Sequence, residues 1–142
     1  MKYRIIENPS YSNIFSIGFD LMPDSDAVKL FFSGVRLPRY PEMIAGVLQN
    51  EGYYGDVFGV LFFKDLDAED FADGDDFEPH QVKLFNHYFG EEIIEVSLFK
   101  QMLLDFGTQL FNRYAAEIAE KGLTEEFKKQ LELLAEQIHN AS

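Results

Sequence analysis

Asp56-Val57-Phe58-Gly59-Val60-Leu61-Phe62-Phe63 is a nearly unbroken run of apolar, β-favouring residues. Such a run reads as a central strand buried on both faces. Gly55 precedes it and a polar stretch follows, so both ends are marked. Gln81-Val82-Lys83-Leu84-Phe85 and Glu92-Ile93-Ile94-Glu95-Val96 read as two further strands, with Asn86-His87-Tyr88-Phe89-Gly90 as the hairpin turn between them. Short turns join antiparallel neighbours, so the sheet is antiparallel.

Outward from this sheet, Lys2 to Glu7 forms a short strand. Phe15, Ile17, Phe19 and Leu21 alternate with smaller or polar residues, a strand period that Gly18 weakens. Asp24 or Ser25 caps a helix carrying Val28, Phe31, Phe32 and Val35 on one face. After the break at Leu37-Pro38-Arg39-Tyr40-Pro41, Pro41 opens a second helix with Met43, Ile44, Val47 and Leu48 inward, stopped by Gly52. Ser97 reads as the cap of the longest helix, which runs to about Lys121 with Phe99, Leu103, Phe106, Leu110, Tyr114 and Ile118 on its apolar face. Phe111 falls one residue off that face, toward the C-terminal helix. Gly122 closes the long helix, and a last one from Thr124 presents Phe127, Leu131, Leu134 and Ile138. The fold class is α+β: an antiparallel sheet of three to five strands with helices packed against it and a C-terminal helical pair. The 142 residues suit a single domain, a sheet–helix body over 1–96 followed by helices over 97–142.

Between the central strand and the hairpin lies the most heavily charged stretch of the chain. Residues 65–78 hold eight carboxylates in fourteen positions and no basic residue: Asp65, Asp67, Glu69, Asp70, Asp73, Asp75, Asp76 and Glu78. Two exposed unit charges about 4 Å apart repel by ~1 kcal/mol even in bulk water. A cation or a basic partner would relieve that repulsion. A solvated loop with no partner is the plainer reading of any charge run, but Phe71 and Phe77 inside this one read as anchors or as the apolar centre of a contact patch. Tyr53 and Tyr54, in the turn before the central strand, read either as further interface anchors or as rings capping the core. Asp56 completes the candidate binding set.

Other chemistries find little support. Aligned to the EF-hand loop from Asp65, the run offers Asp65, Asp67 and Glu69, but puts Asp70 where glycine is required and Asp76 where a bidentate glutamate belongs. His80, His87 and His139 are too scattered for a metal-ligand spacing, and no GxSxG motif is present. Gly52 to Gly59 lacks the register and the Lys-Ser/Thr of a phosphate loop. The expectation is a binding protein with no catalytic residue, metal or cofactor. A net charge of −13 disfavours nucleic acid and anionic membrane as direct ligands and favours a basic protein partner or a metal. With no cysteine, no signal-peptide pattern at Met1 to Pro9 and no apolar span, the expected location is the cytoplasm.

Three segments together resemble a known family: Gly52-Tyr53-Tyr54-Gly55-Asp56-Val57-Phe58-Gly59-Val60, Asp73-Gly74-Asp75-Asp76-Phe77-Glu78, and Val82-Lys83-Leu84-Phe85-Asn86. They look like the immunity proteins of bacterial contact-dependent growth inhibition (CDI) systems, in the group paired with ribonuclease toxins. The likeness covers roughly residues 1 to 110, and its motifs belong to scaffold and surface. The resemblance implies a cytoplasmic protein that binds and blocks the toxic C-terminal nuclease domain of a cognate exoprotein. For toxins of that class that cleave transfer RNA, it also implies translation factor Tu as a possible third member of the assembly. An acidic adaptor with another basic partner, or a metal-binding domain, is the alternative the residues leave open.

Overall fold

A computed structural model describes residues 1–12 and 14–141 of the chain. It is an α+β structure with two antiparallel sheets, a hairpin of two strands and a sheet of four. β1 (Lys2–Glu7) and β2 (Ile17–Met22) pair from Lys2↔Met22 to Glu7↔Ile17. Ile17, Phe19 and Leu21 of β2 are buried, as the strand period requires. Gly18 is a requirement of this hairpin. A Cβ there would overlap the Tyr11 hydroxyl, which is held by both the amide and the carbonyl of Phe19.

α1 (Asp26–Gly34) begins at Ser25, whose hydroxyl accepts from the Val28 amide at 3.3 Å. Leu37–Arg39 form a 3₁₀ turn, and α2 (Tyr40–Leu48) follows one residue earlier than Pro41 alone would place it. Gly52 does not stop α2. The chain leaves the helix at Asn50, which takes φ 56° and lets the Glu51 amide bond the Gly46 carbonyl at 2.9 Å.

β3 (Tyr53–Tyr54), β4 (Phe58–Phe62), β5 (Gln81–Asn86) and β6 (Gly90–Glu95) form the larger sheet in that order. The apolar run is therefore an inner strand, but it is shorter than its sequence implied and is not buried on both faces. Phe63 opens a 3₁₀ turn to Asp65, and Leu61 on the outer face stays partly open. Phe58, Val60 and Phe62 face the helices with Val82, Leu84 and Ile94.

α4 (Val96–Arg113), α5 (Ala115–Glu120) and α6 (Thr124–Ala141) complete the fold. Ser97 does not cap α4, which starts at Val96 with no side-chain cap. The long helix is also interrupted. Tyr114 leaves helical geometry (φ −113°, ψ 29°), its ring packs on Phe15 at 5.6 Å and its hydroxyl accepts from the Ser16 amide at 2.8 Å. Gly122, at φ 68°, turns the chain into α6.

Aromatic rings join these layers. Phe106 of α4 meets Phe19 at 5.2 Å, Phe32 at 5.7 Å, and Phe15 and Tyr40 at 6.2 Å each. Two turns back, Phe99 meets Phe31 and Phe32 at 5.8 Å and Phe62 of β4 at 6.2 Å. Phe127 of α6 stacks on Tyr40 and meets Phe111 at 5.6 Å, so Phe111 does turn to the C-terminal helix. The core thus runs without interruption across the boundary at residues 96 and 97. Truncating a fully buried Phe typically costs about 3–5 kcal/mol. Phe106→Ala is expected to lose that much in urea unfolding, whereas a loss under ~1 kcal/mol would mean that the ring does not hold the hairpin against the helices.

Candidate binding face on the outer side of the sheet

Helices cover one face of the four-stranded sheet. Strand alternation sends the other residues outward, and the register sets their neighbours: Tyr54 lies opposite Gly59, Gly59 opposite Phe85, and Phe85 opposite Glu91. Leu61, Lys83 and Ile93 form the next row. Gly59 makes room for the Phe85 ring, which approaches Tyr54 at 6.4 Å and His87 at 5.6 Å between centroids. An aromatic strip therefore crosses the sheet from β3 to the hairpin turn, where Tyr88 and Phe89 are exposed.

The acidic segment folds over the far end of this face and is not an extended loop. Leu66 leaves the 3₁₀ turn, and α3 (Ala68–Ala72) follows. Asp67 accepts from the Asp70 amide and Asp70 from the Asp67 amide, both at 2.9 Å, a reciprocal capping box. Asp65 accepts from the Phe62 amide at 2.7 Å, fixing the turn out of β4. These three carboxylates are engaged by the backbone. Glu69, Asp73, Asp75, Asp76 and Glu78 are exposed, and none of them makes a side-chain hydrogen bond with a described residue.

Phe77 and Lys83 pin the segment down. Phe77 is only 6% exposed, so it is an anchor and not a contact residue. Lys83, also 6% exposed, is the one charged residue among the buried side chains described. Its ammonium donates to the Asp75 carbonyl at 3.0 Å, lies 5.9 Å from the centre of the Phe77 ring and reaches Glu91 at 3.7 Å. This is a cation under an acidic lid, the arrangement that lowers the repulsion within the run. Phe71 remains 48% exposed, its ring edge-on to Phe63.

The structure divides the residues singled out in the sequence. Tyr54, Asp65 and Asp70 come together: burial raises the Tyr54 pKa, and the charges of Asp65 and Asp70 raise it further. A Cβ on Gly52 would touch both Asp65 Oδ2 at 2.7 Å and the Tyr54 hydroxyl at 2.9 Å. Tyr53 points the other way. It faces the helix side, and its pKa is raised first by burial, with Arg39 and Glu42 near enough to act on it. It is the core-capping ring that the sequence left as an alternative. Asp56 precedes β4 and stands at the opposite end of that strand from the acidic segment. Sequence reasoning missed Phe85, Glu91 and Ile93, which share this face. Their signal was the alternation in Val82-Lys83-Leu84-Phe85 once a pairing register is assumed.

Among the described residues no three His, Asp or Glu side chains converge as metal ligands. None of the described helices is long and apolar enough to cross a membrane. His80 is engaged by Glu95 at 2.6 Å, and that hydrogen bond raises its pKa.

The capping box makes the acidic segment sensitive to pH. The Asp70 amide, first among the hydrogen bonds to Asp67, holds its carboxyl below the ordinary 3.8. A depressed carboxylate stabilises above its unfolded pKa and loses that contribution as pH falls through the folded value. The backbone chemical shifts of residues 68–72 should therefore stay helical down to about pH 4 and lose that character at more acidic pH. Asp67→Ala should show the loss already at neutral pH, and Asp67→Asn, still a good cap, should keep the helix in acid. Helical shifts unchanged in Asp67→Ala would show that α3 does not depend on the cap.

No family model, no curated protein and no solved structure matches this chain.

Proposed function

We propose that the chain is an immunity protein of the contact-dependent growth inhibition type, which acts in the cytoplasm by binding and occluding a cognate ribonuclease toxin domain. The observation that carries the reading is the outer sheet face, where five carboxylates not used by the fold stand beside an exposed aromatic strip. Fold, anchors and caps hold those charges in place, so little order has to be lost on binding. A nuclease that holds RNA presents a basic cleft for its phosphates. Glu69, Asp73, Asp75, Asp76 and Glu78 would meet that cleft, with Tyr54, Phe71 and Phe85 as the apolar contacts at its rim. Asp65, Asp67 and Asp70 hold the segment in shape, and Phe77 anchors it. Inhibition on this reading is steric and electrostatic, without chemistry on the toxin. Translation factor Tu would join only where the toxin itself recruits it.

The test is a pull-down from native lysate with this chain as bait, washed at low and then high salt. The expected result is a basic nuclease domain in near-stoichiometric amount, whose RNA cleavage stops when the chain is added back. Recovery of only salt-labile mixtures would count against immunity and favour a general acidic adaptor. With the nuclease in hand, Glu69→Lys, Asp73→Lys, Asp76→Lys and Glu78→Lys together should slow association by about tenfold to a thousandfold at low salt. These four side chains make no hydrogen bond with a described residue, so circular dichroism should be unchanged. An unchanged association rate would move the toxin contact off this face.

A further inference from the structure

A cavity opens where the end of β4 meets the first turn of α4 and the ends of α2 and α6, beside the two ends of the acidic segment at Lys64 and Pro79. It encloses about 550 Å³, within the range of small-molecule sites. Phe62, Phe63, Val96 and Ile138 give it apolar walls. Its ionisable groups are Lys64, His80, Glu95 and Lys100. Two of the four answer each other, since His80 and Glu95 are hydrogen-bonded. Lys64 reaches Glu51 only at 3.8 Å, between two exposed side chains.

Lys100 is different. Its ammonium donates to Asn50 Oδ1 at 3.1 Å and to Gln137 Oε1 at 2.7 Å, and among the described residues it makes no ion pair. Gln137 is fixed in turn, its amide donating to the Leu48 carbonyl at 3.0 Å, so its oxygen is aimed at the lysine. An ammonium has three N–H donors, and two are used. Burial lowers the Lys100 pKa, as it must when no carboxylate offsets the loss of water. The Val96 amide bonds the His80 carbonyl, but the opening turn of α4 has no side-chain cap, so the amides after it add positive potential at the same wall. On a chain of net charge −13, a half-buried cation held by amides alone is a site of the opposite sign.

We propose that this cleft binds a small organic carboxylate with an apolar body, its carboxylate taken by the free donor of Lys100 and its body laid against Phe62, Phe63 and Ile138. One uncompensated cation matches one negative charge. The apolar walls favour a carboxylate with an apolar body over a small hydrated phosphate. The proposal does not rest on the toxin-binding reading, although Phe63 of the cleft wall packs on Phe71 of the acidic segment.

The probes are octanoate, octan-1-ol and inorganic phosphate, titrated into the full chain by calorimetry and by amide chemical shifts. Octanoate should saturate and move the amides of Ser97, Lys100 and Gln137. Octan-1-ol, with the same body and no charge, should bind at least about tenfold more weakly, the factor a charge-assisted hydrogen bond supplies. Lys100→Met keeps the stem and removes the charge, and should bring octanoate down to the level of the alcohol. Equal affinity for octanoate and octan-1-ol, tighter binding of phosphate at the same amides, or no saturable shift would each overturn the proposal. Should Lys100→Met fail to fold, the comparison of acid and alcohol on the unaltered chain still decides.

Discussion

The two sheets share no hydrogen-bonded edge, and everything else depends on the aromatic packing that joins them. Phe106 and Phe99 lie one helical repeat apart on α4, seven residues and two turns along one face. Phe106 seats the hairpin through Phe19 and Phe15, while Phe99 seats the larger sheet through Phe62. Phe31 and Phe32 of α1 fill the space between, edge to face with one another at 5.3 Å. Ring pairs of this kind contribute about 0.5–1.5 kcal/mol beyond their buried area, and they fix relative orientation in a way that aliphatic packing does not. With one face of the larger sheet committed to that core, its other face is the surface left for binding.

That outer face carries a conflict that the fold resolves locally. Eight carboxylates in fourteen residues would favour an extended, solvated segment. Three of them are turned to structural use at Asp65, Asp67 and Asp70, where each accepts a backbone amide. Lys83 then places a buried cation beneath the rest, and Phe77 adds apolar burial. A lysine in mid-strand on a covered face would normally be a fault. Here its ammonium bonds the backbone carbonyl of Asp75 and lies near Glu91, so it is satisfied and it answers the charge above it. The five remaining carboxylates keep their repulsion, and that unresolved part is what a basic surface could relieve.

Much of this was legible in the residues. The strand and helix signals read along the chain, from Lys2–Glu7 to the helix from Thr124, each fall on an observed element because burial enforces the period over several residues. What failed were single positions. Ser97 looked like a cap by type, yet α4 begins at Val96, whose amide is already taken by the His80 carbonyl. Gly52 looked like the stop for α2, yet Asn50 supplied the left-handed turn first. The break at Tyr114 follows from a hydroxyl that bonds Ser16 across the molecule, and no local pattern carries that information. The acidic run hid a helix because charge density masked the Asp67-x-x-Asp70 box, a signal that was present. Tyr53 and Tyr54 were grouped as neighbours in sequence, and a two-residue strand sends adjacent rings to opposite faces.

On the two proposals, the distribution of charge would serve two kinds of recognition on one small chain. On the outer sheet face, carboxylates are exposed and solvated, so each is worth little alone and the group acts through its summed field. Such a surface governs encounter with a large basic body and is weakened by salt. In the cleft behind α4, the opposite holds. Lys100 is half buried, oriented by two amides and free of any counter-charge among the described residues, so a single interaction there is made at reduced dielectric and selects by geometry. The acidic segment beside the cleft, with Glu78 near enough to act on His80, would repel an approaching anion, and screening confines that repulsion to about 10 Å at ordinary ionic strength. Selection in the cleft therefore rests on the short-range contact at Lys100. A pairing of one cation with apolar walls rejects both neutral apolar molecules, which leave the ammonium unanswered, and small hydrated anions, which leave the walls wet.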